Sequence, residues 1–128
     1  MIGYVTIGAN DSDAALPFYD GVLGAIGYER KSFDGGWAFY GPKGGEGNVG
    51  VCKPFDGQPA KAGNGIMIAF LAPSQEAVRA AHAAGLANGG ADEGAPGFRP
   101  PDGKAFFGAY VRDPTGNKIC VFHTTPAV

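Results

Sequence analysis

Two stretches, YVTIGANDSDAALPFYDGVLGAIG at 4–27 and MIAFLAPSQEAVRAAHAAGLANGG at 67–90, decide the fold. Each opens on an apolar run of strand length. Each then supplies side chains that cap a helix start: Asn10 to Asp13 in the first, Ser74 in the second. Leu16, Tyr19, Val22, Leu23 and Ile26 recur at spacings of three and four, which lines one helix face. Val78, Ala81, His82 and Leu86 repeat that pattern. Pro17 is tolerable only near the start of its helix, where few amides have helical partners. Gly27 and Gly89-Gly90 end the two helices. A shift of 63 residues places Tyr4 on Met67, Tyr19 on His82, Leu23 on Leu86 and Gly27 on Gly90.

Working outward, three extended segments follow each helix. After the first come 28–33, the tight turn Asp34-Gly35-Gly36, 37–40, a glycine loop at 41–47, and 48–54. After the second come 91–99, 104–112 and 118–124, with Asp113-Pro114-Thr115-Gly116 as the last turn. A shift of 69 residues places Gly47-Asn48 on Gly116-Asn117 and Val51 on Cys120. Strand, helix and three strands thus occur twice, around a polar linker at 55–64, FDGQPAKAGN. The expectation is one α+β domain over 1–128, made of two βαβββ modules at about 1–54 and 65–128.

Bulk properties narrow the function. A chain of 128 residues with 45% hydrophobic and 17% charged residues can bury a core without staples. The net charge of −2 comes without a basic patch, which argues against nucleic acid. The longest apolar run, Gly65 to Ala72, is too short to span a bilayer, and Met1-Ile2-Gly3-Tyr4 shows no leader pattern. A soluble cytoplasmic protein is expected. Cys52 and Cys120 make no disulfide framework and read as buried thiols.

Three motifs resemble one known superfamily. Phe18-Tyr19-x-x-Val22-Leu23-Gly24 is similar to its opening helix. Arg112-Asp-Pro-x-Gly116-Asn117-x-Ile119 is similar to the hairpin before its last strand. Gly63 to Ser74 followed by Gly90 to Pro96 is similar to the second half of short bacterial glyoxalase-like members. The chain therefore resembles the vicinal oxygen chelate superfamily of glyoxalases, bleomycin resistance proteins and dioxygenases. The resemblance implies a cupped mixed sheet with helices on its convex face and a pocket on its concave face. Such folds host several chemistries, so the resemblance does not choose one.

Alternation along the strands assigns side chains to that cup. Val5, Ile7, Ile66, Ile68 and Phe70 are expected to meet the helices. Tyr4, Thr6, Met67, Ala69 and Leu71 are expected to line the cup. Val51, Lys53, Phe106, Tyr110, Arg112, Cys120 and Phe122 join them, and Tyr40 and Ala38 follow from the repeat. The resemblance implies that enzymatic members place His, Glu or Gln on the first and last strands of each half, around one divalent ion. Those positions here are Tyr4, Val51, Met67 and Cys120, a poor donor set for a hard cation. No metal and no cofactor are therefore expected. His82 reads as a satisfied core residue, and His123 as pointing away from the cup. The glycine loop at 41–47 lacks a Gly-Lys-Ser/Thr ending, and Asp92 and Glu93 alternate to opposite faces.

Two functions remain. The first is metal-independent binding of a small hydrophobic or aromatic molecule in the cup, with tyrosine and phenylalanine rings as stacking surfaces. The alternative is a lyase or isomerase resembling glyoxalase I, for which no inward base is evident and no catalytic residue can be named. A homodimer is expected in either case, since such sheets often complete their cup with a second chain.

Overall fold

The computed structural model describes all residues from Met1 to Val128. The first module comprises β1 (Val5–Gly8), α1 (Ser12–Gly24), β2 (Tyr28–Asp34), β3 (Trp37–Pro42) and β4 (Val49–Cys52). The second comprises β5 (Ile68–Leu71), α2 (Gln75–Ala87), β6 (Ala91–Phe98), β7 (Phe106–Arg112) and β8 (Lys118–Thr124). Capping is as the sequence dictates. Asp11 accepts the Ala14 amide, and Ser74 accepts the Ala77 amide, each at 3.1 Å.

Each module forms its own four-stranded sheet, in the orders β1-β4-β3-β2 and β5-β8-β7-β6. In each, the first strand pairs parallel with the last and the rest is antiparallel. The cupped sheet is therefore two sheets with no ladder between them. β1 and β5 are both free edges. The modules meet instead through their helices and one shared core. Gly21 and Gly85 allow the close approach. A Cβ on Gly85 would sit 3.2 Å from Phe18, Val22 and Val111, and one on Gly21 would sit 3.2 Å from Ala84. The expected core residue Leu86 is 42% exposed, because Gly85 rather than Leu86 faces α1. Ile66 is 68% exposed, because β5 begins only at Ile68.

The pairing register corrects one part of the repeat. Val5 stands opposite Val49 and Ile7 opposite Val51, just as Ile68 stands opposite Ile119 and Phe70 opposite Val121. The last strands thus superpose with Val51 on Val121 and Gly50 on Cys120, one residue from the expected match. A one-residue slip moves every side chain to the other face. Val51 is accordingly 1% exposed and lies in the core. Ala38 and Tyr40, opposite Val51 and Val49, share that core face. The Tyr40 hydroxyl donates to Asp20 of α1 at 2.8 Å. These three residues face the helices and not the cup.

Candidate functional site

The helix-free face of each sheet is where a ligand could be received. On the first sheet it carries Tyr4, Thr6, Trp37, Phe39, Gly50 and Cys52. The pairing of Thr6 with Gly50, and of Gly50 with Phe39, sets this face. Trp37 and Phe39 stack with centroids 5.6 Å apart and planes 19° apart, and Tyr4 meets Phe39 edge-on at 6.1 Å. Gly50 forms the floor beneath them. A Cβ there would lie 3.2 Å from Phe39 and 3.3 Å from Trp37. Glycine is thus what lets two large rings lie against the sheet.

On the second sheet the same face carries Ala69, Leu71, Phe106, Gly108, Tyr110, Arg112, Lys118, Cys120 and Phe122, as the pairings of Ala69 with Cys120 and of Tyr110 with Cys120 require. Phe106 and Phe122 stack at 5.1 Å with planes 9° apart. Gly108 is their floor, where a Cβ would come within 2.7 Å of the Phe106 ring. Tyr110 carries two cations over its ring, Arg99 at 5.5 Å and Lys118 at 5.4 Å. Arg112 donates from Nε to Glu93 at 2.8 Å and from a terminal nitrogen to the Gly116 carbonyl at 3.1 Å. Cys120 is buried under this layer, and burial pushes its thiol up to about 11. Burial also raises the Tyr110 hydroxyl, with the neighbouring Cys120 adding to the effect.

Of the residues expected to line a cup, Tyr4, Thr6, Phe106, Tyr110, Arg112, Cys120 and Phe122 lie on the helix-free faces. Met67 borders a cavity with Arg112 and Lys118. Lys53 lies just past β4, exposed, beside Asn10 in a separate cavity of about 340 Å³. Val51 and Tyr40 belong to the core. The positions 4, 51, 67 and 120 therefore do not converge on one point. Trp37, Phe39 and Lys118 went unrecognised. The match of Ala38-Phe39 with Ala109-Tyr110 would have placed the first two correctly.

A divalent ion does not find its usual donors at these positions. The helix-free side chains of β1, β4, β5 and β8 include no His, Asp, Glu or Gln. No group of three His, Cys, Asp or Glu anywhere in the chain could hold a metal. His82 is buried on α2, where it meets Asp92 at 2.8 Å, and His123 contacts the Ala72 carbonyl at 3.0 Å. Neither aims at the aromatic faces. No helix is long and apolar enough to cross a membrane.

Comparison with known proteins agrees with this architecture. Residues 1–121 match the family model described as Glyoxalase/Bleomycin resistance protein/Dioxygenase superfamily. A glyoxalase/bleomycin resistance protein from Albidiferax ferrireducens is 42% identical, with a TM-score of 0.85 over 94% of this chain and 97% of that one. A glyoxalase-related enzyme from Fulvimarina pelagi is similar in fold, at 19% identity and a TM-score of 0.73, over 95% of this chain and 86% of the other. So is a family enzyme from Burkholderia phytofirmans, at 18% identity and 0.71, over 96% and 98%. No curated protein matches the chain.

Proposed function

Since the chain belongs to the glyoxalase/bleomycin resistance protein/dioxygenase superfamily, we propose that it binds a small, flat, hydrophobic or aromatic molecule without a metal, in a cup completed by a second copy of itself. The observation that carries this reading is the pair of ring stacks, Trp37 on Phe39 and Phe106 on Phe122, each lying over a glycine floor. Flat apolar walls with a few polar groups suit a planar organic ligand better than a chelated oxyacid. The donor set supports metal independence, since Tyr4, Gly50, Met67 and Cys120 offer a hard cation nothing to hold.

What one chain leaves open supports the proposed pairing. Tyr4, Met67 and Leu71 are exposed, and β1 and β5 are unpaired edges. A second chain laid against these faces would turn two open surfaces into enclosed ones.

Trp37 is the single tryptophan of the chain and stands in the first stack, so it reports on occupancy. Titration with a planar aromatic compound is expected to quench its fluorescence and raise the melting temperature. Chelator treatment should leave both responses unchanged. A panel of flat dyes and quinone-like compounds that neither quenches nor stabilises would defeat the reading. So would tight uptake of one Ni²⁺ or Zn²⁺ per chain coupled to turnover of a hemithioacetal.

A further inference from the structure

The half of the linker that precedes β5 does more than connect. Residues 61–67 fold along the start of β8 and wall two adjoining cavities. One, of about 180 Å³, lies towards β1 and is lined in part by Thr6, Lys61, Ile68 and Asn117. The other, of about 600 Å³, lies towards the second sheet's helix-free face and is lined in part by Asn64, Met67 and Arg112. Gly63, Ile66 and Lys118 border both. Gly63 lies tight against Ile66, where a Cβ would come within 2.4 Å of the tip of the isoleucine side chain.

The charge of this cleft is one-sided. Lys61, Arg112 and Lys118 line it and no carboxylate does, although the whole chain carries more acidic than basic residues. Neither lysine has an acidic partner. Arg112 gives its Nε to Glu93 and one terminal nitrogen to the Gly116 carbonyl, which leaves its other terminal nitrogen free. The amides of residues 62–65 donate to no group of the chain. Beside these donors stand Ile66, Ile68 and Met67, the first of them largely exposed. Two unpaired lysines, an arginine with one terminal nitrogen to spare, free amides and apolar side chains together fit an anionic head on a short apolar body.

We propose that the cleft between the linker and β8 binds the anionic head, a carboxylate or a phosphate, of the molecule whose apolar body lies against the aromatic faces. This rests on the aromatic-ligand reading above and adds the charge of the ligand to it. The head is drawn by Lys61 and Lys118, and Arg112 fixes its orientation.

Three probes test it: 2-naphthoate, its neutral counterpart 2-naphthamide, and inorganic phosphate. Trp37 fluorescence and melting temperature are read for the native protein, for Lys61→Met, and for Lys61→Met/Lys118→Met. Naphthoate is expected to bind about tenfold tighter than naphthamide. That preference should shrink in Lys61→Met, disappear in the double variant, and weaken as salt rises. The single variant replaces an exposed side chain, so it keeps the test meaningful should the double variant fold poorly. Equal binding of the two naphthyl compounds would overturn the anionic head while leaving the aromatic reading intact. Lysine-dependent stabilisation by phosphate, with neither naphthyl compound binding, would support the anion site and sink the aromatic reading. No response to any of the three would overturn both.

Discussion

Tyr19 of α1 and His82 of α2 occupy equivalent positions in the two modules, yet they hold different things together. The Tyr19 hydroxyl, fully buried, donates across the module boundary to Asp113 in the β7–β8 turn at 2.5 Å. His82 stays within its own module and meets Asp92 of β6. Asp113 also accepts the amides of Thr115, Gly116 and Asn117 and the Asn117 side chain, whose other contact is the Gly8 carbonyl of β1. One carboxylate thus closes a turn and docks it on the first module. The first module has no counterpart, since Pro42 occupies the matching place at the end of β3. The repeat builds two similar halves, and the departures from the repeat fix how they sit together.

The largest effect is expected from breaking that docking point. Asp113→Ala strands a buried hydroxyl and several amides, and should cost about 3 kcal/mol or more in urea unfolding. Tyr19→Phe leaves the turn intact and loses one charge-assisted bond, so about 1–2 kcal/mol is expected. His82→Gln should cost less than either, because its partner Asp92 is exposed and solvated. If His82→Gln matched Asp113→Ala, the asymmetry between the modules would be unreal.

The aromatic faces sharpen the same comparison at the level of binding. Trp37→Ala and Phe122→Ala each remove one ring from a stack on a different sheet. Under the proposed cup both should weaken a planar ligand, each by about tenfold, a loss of roughly 1–1.5 kcal/mol. Melting temperature in the presence of ligand serves as the readout for both, since Trp37→Ala removes the fluorescent group. A loss confined to one variant would place the ligand on a single sheet.

Much of this was legible in the chain. The order of ten elements follows from apolar periodicity, caps and glycines, and every segment between Tyr28 and Thr124 falls within a few residues of its expected place. The faces of β3 and β4 were not legible from the Gly-Asn pairs. Those dipeptides lie in turns of different length, the six-residue connection 43–48 and the tight turn after Arg112, so aligning them slips the strands by one. Strand residues carry the register better: Val49 and Val51 match Ile119 and Val121 in kind and in burial. The cationic cleft was invisible for another reason. Lys61 and Lys118 are far apart in sequence, and only the folded linker brings both beside Ile66.

Gly50 and Cys120 also occupy equivalent positions, and their difference has a chemical test. Only the second sheet holds a thiol at this point of its helix-free face, and its burial keeps it protonated, at about 11, although Tyr110 and Lys118 pull the other way. At pH 8 the thiolate is on the order of one part in a thousand. Cys120 should therefore resist iodoacetamide in the native protein and react once unfolded, as read by intact mass and peptide mapping. Rapid native labelling would show instead that the thiol is accessible and ionised.

The smallest expected effect concerns the second module alone. The His82 side chain, and after it the Gly94 amide, hold the Asp92 carboxyl below its ordinary 3.8. A carboxyl depressed in the folded state stabilises above its unfolded pKa and loses that contribution as pH falls through its folded value. The window thus lies in acid, below about pH 4. Asp92→Asn should be slightly less stable than the native chain at pH 6, and the gap should close as the two are titrated downwards. Because Asp92 is exposed, solvent screening keeps the gap small. A gap that widens on acidification would mean that His82 gains little from this carboxylate and that the α2–β6 contact is held by packing instead.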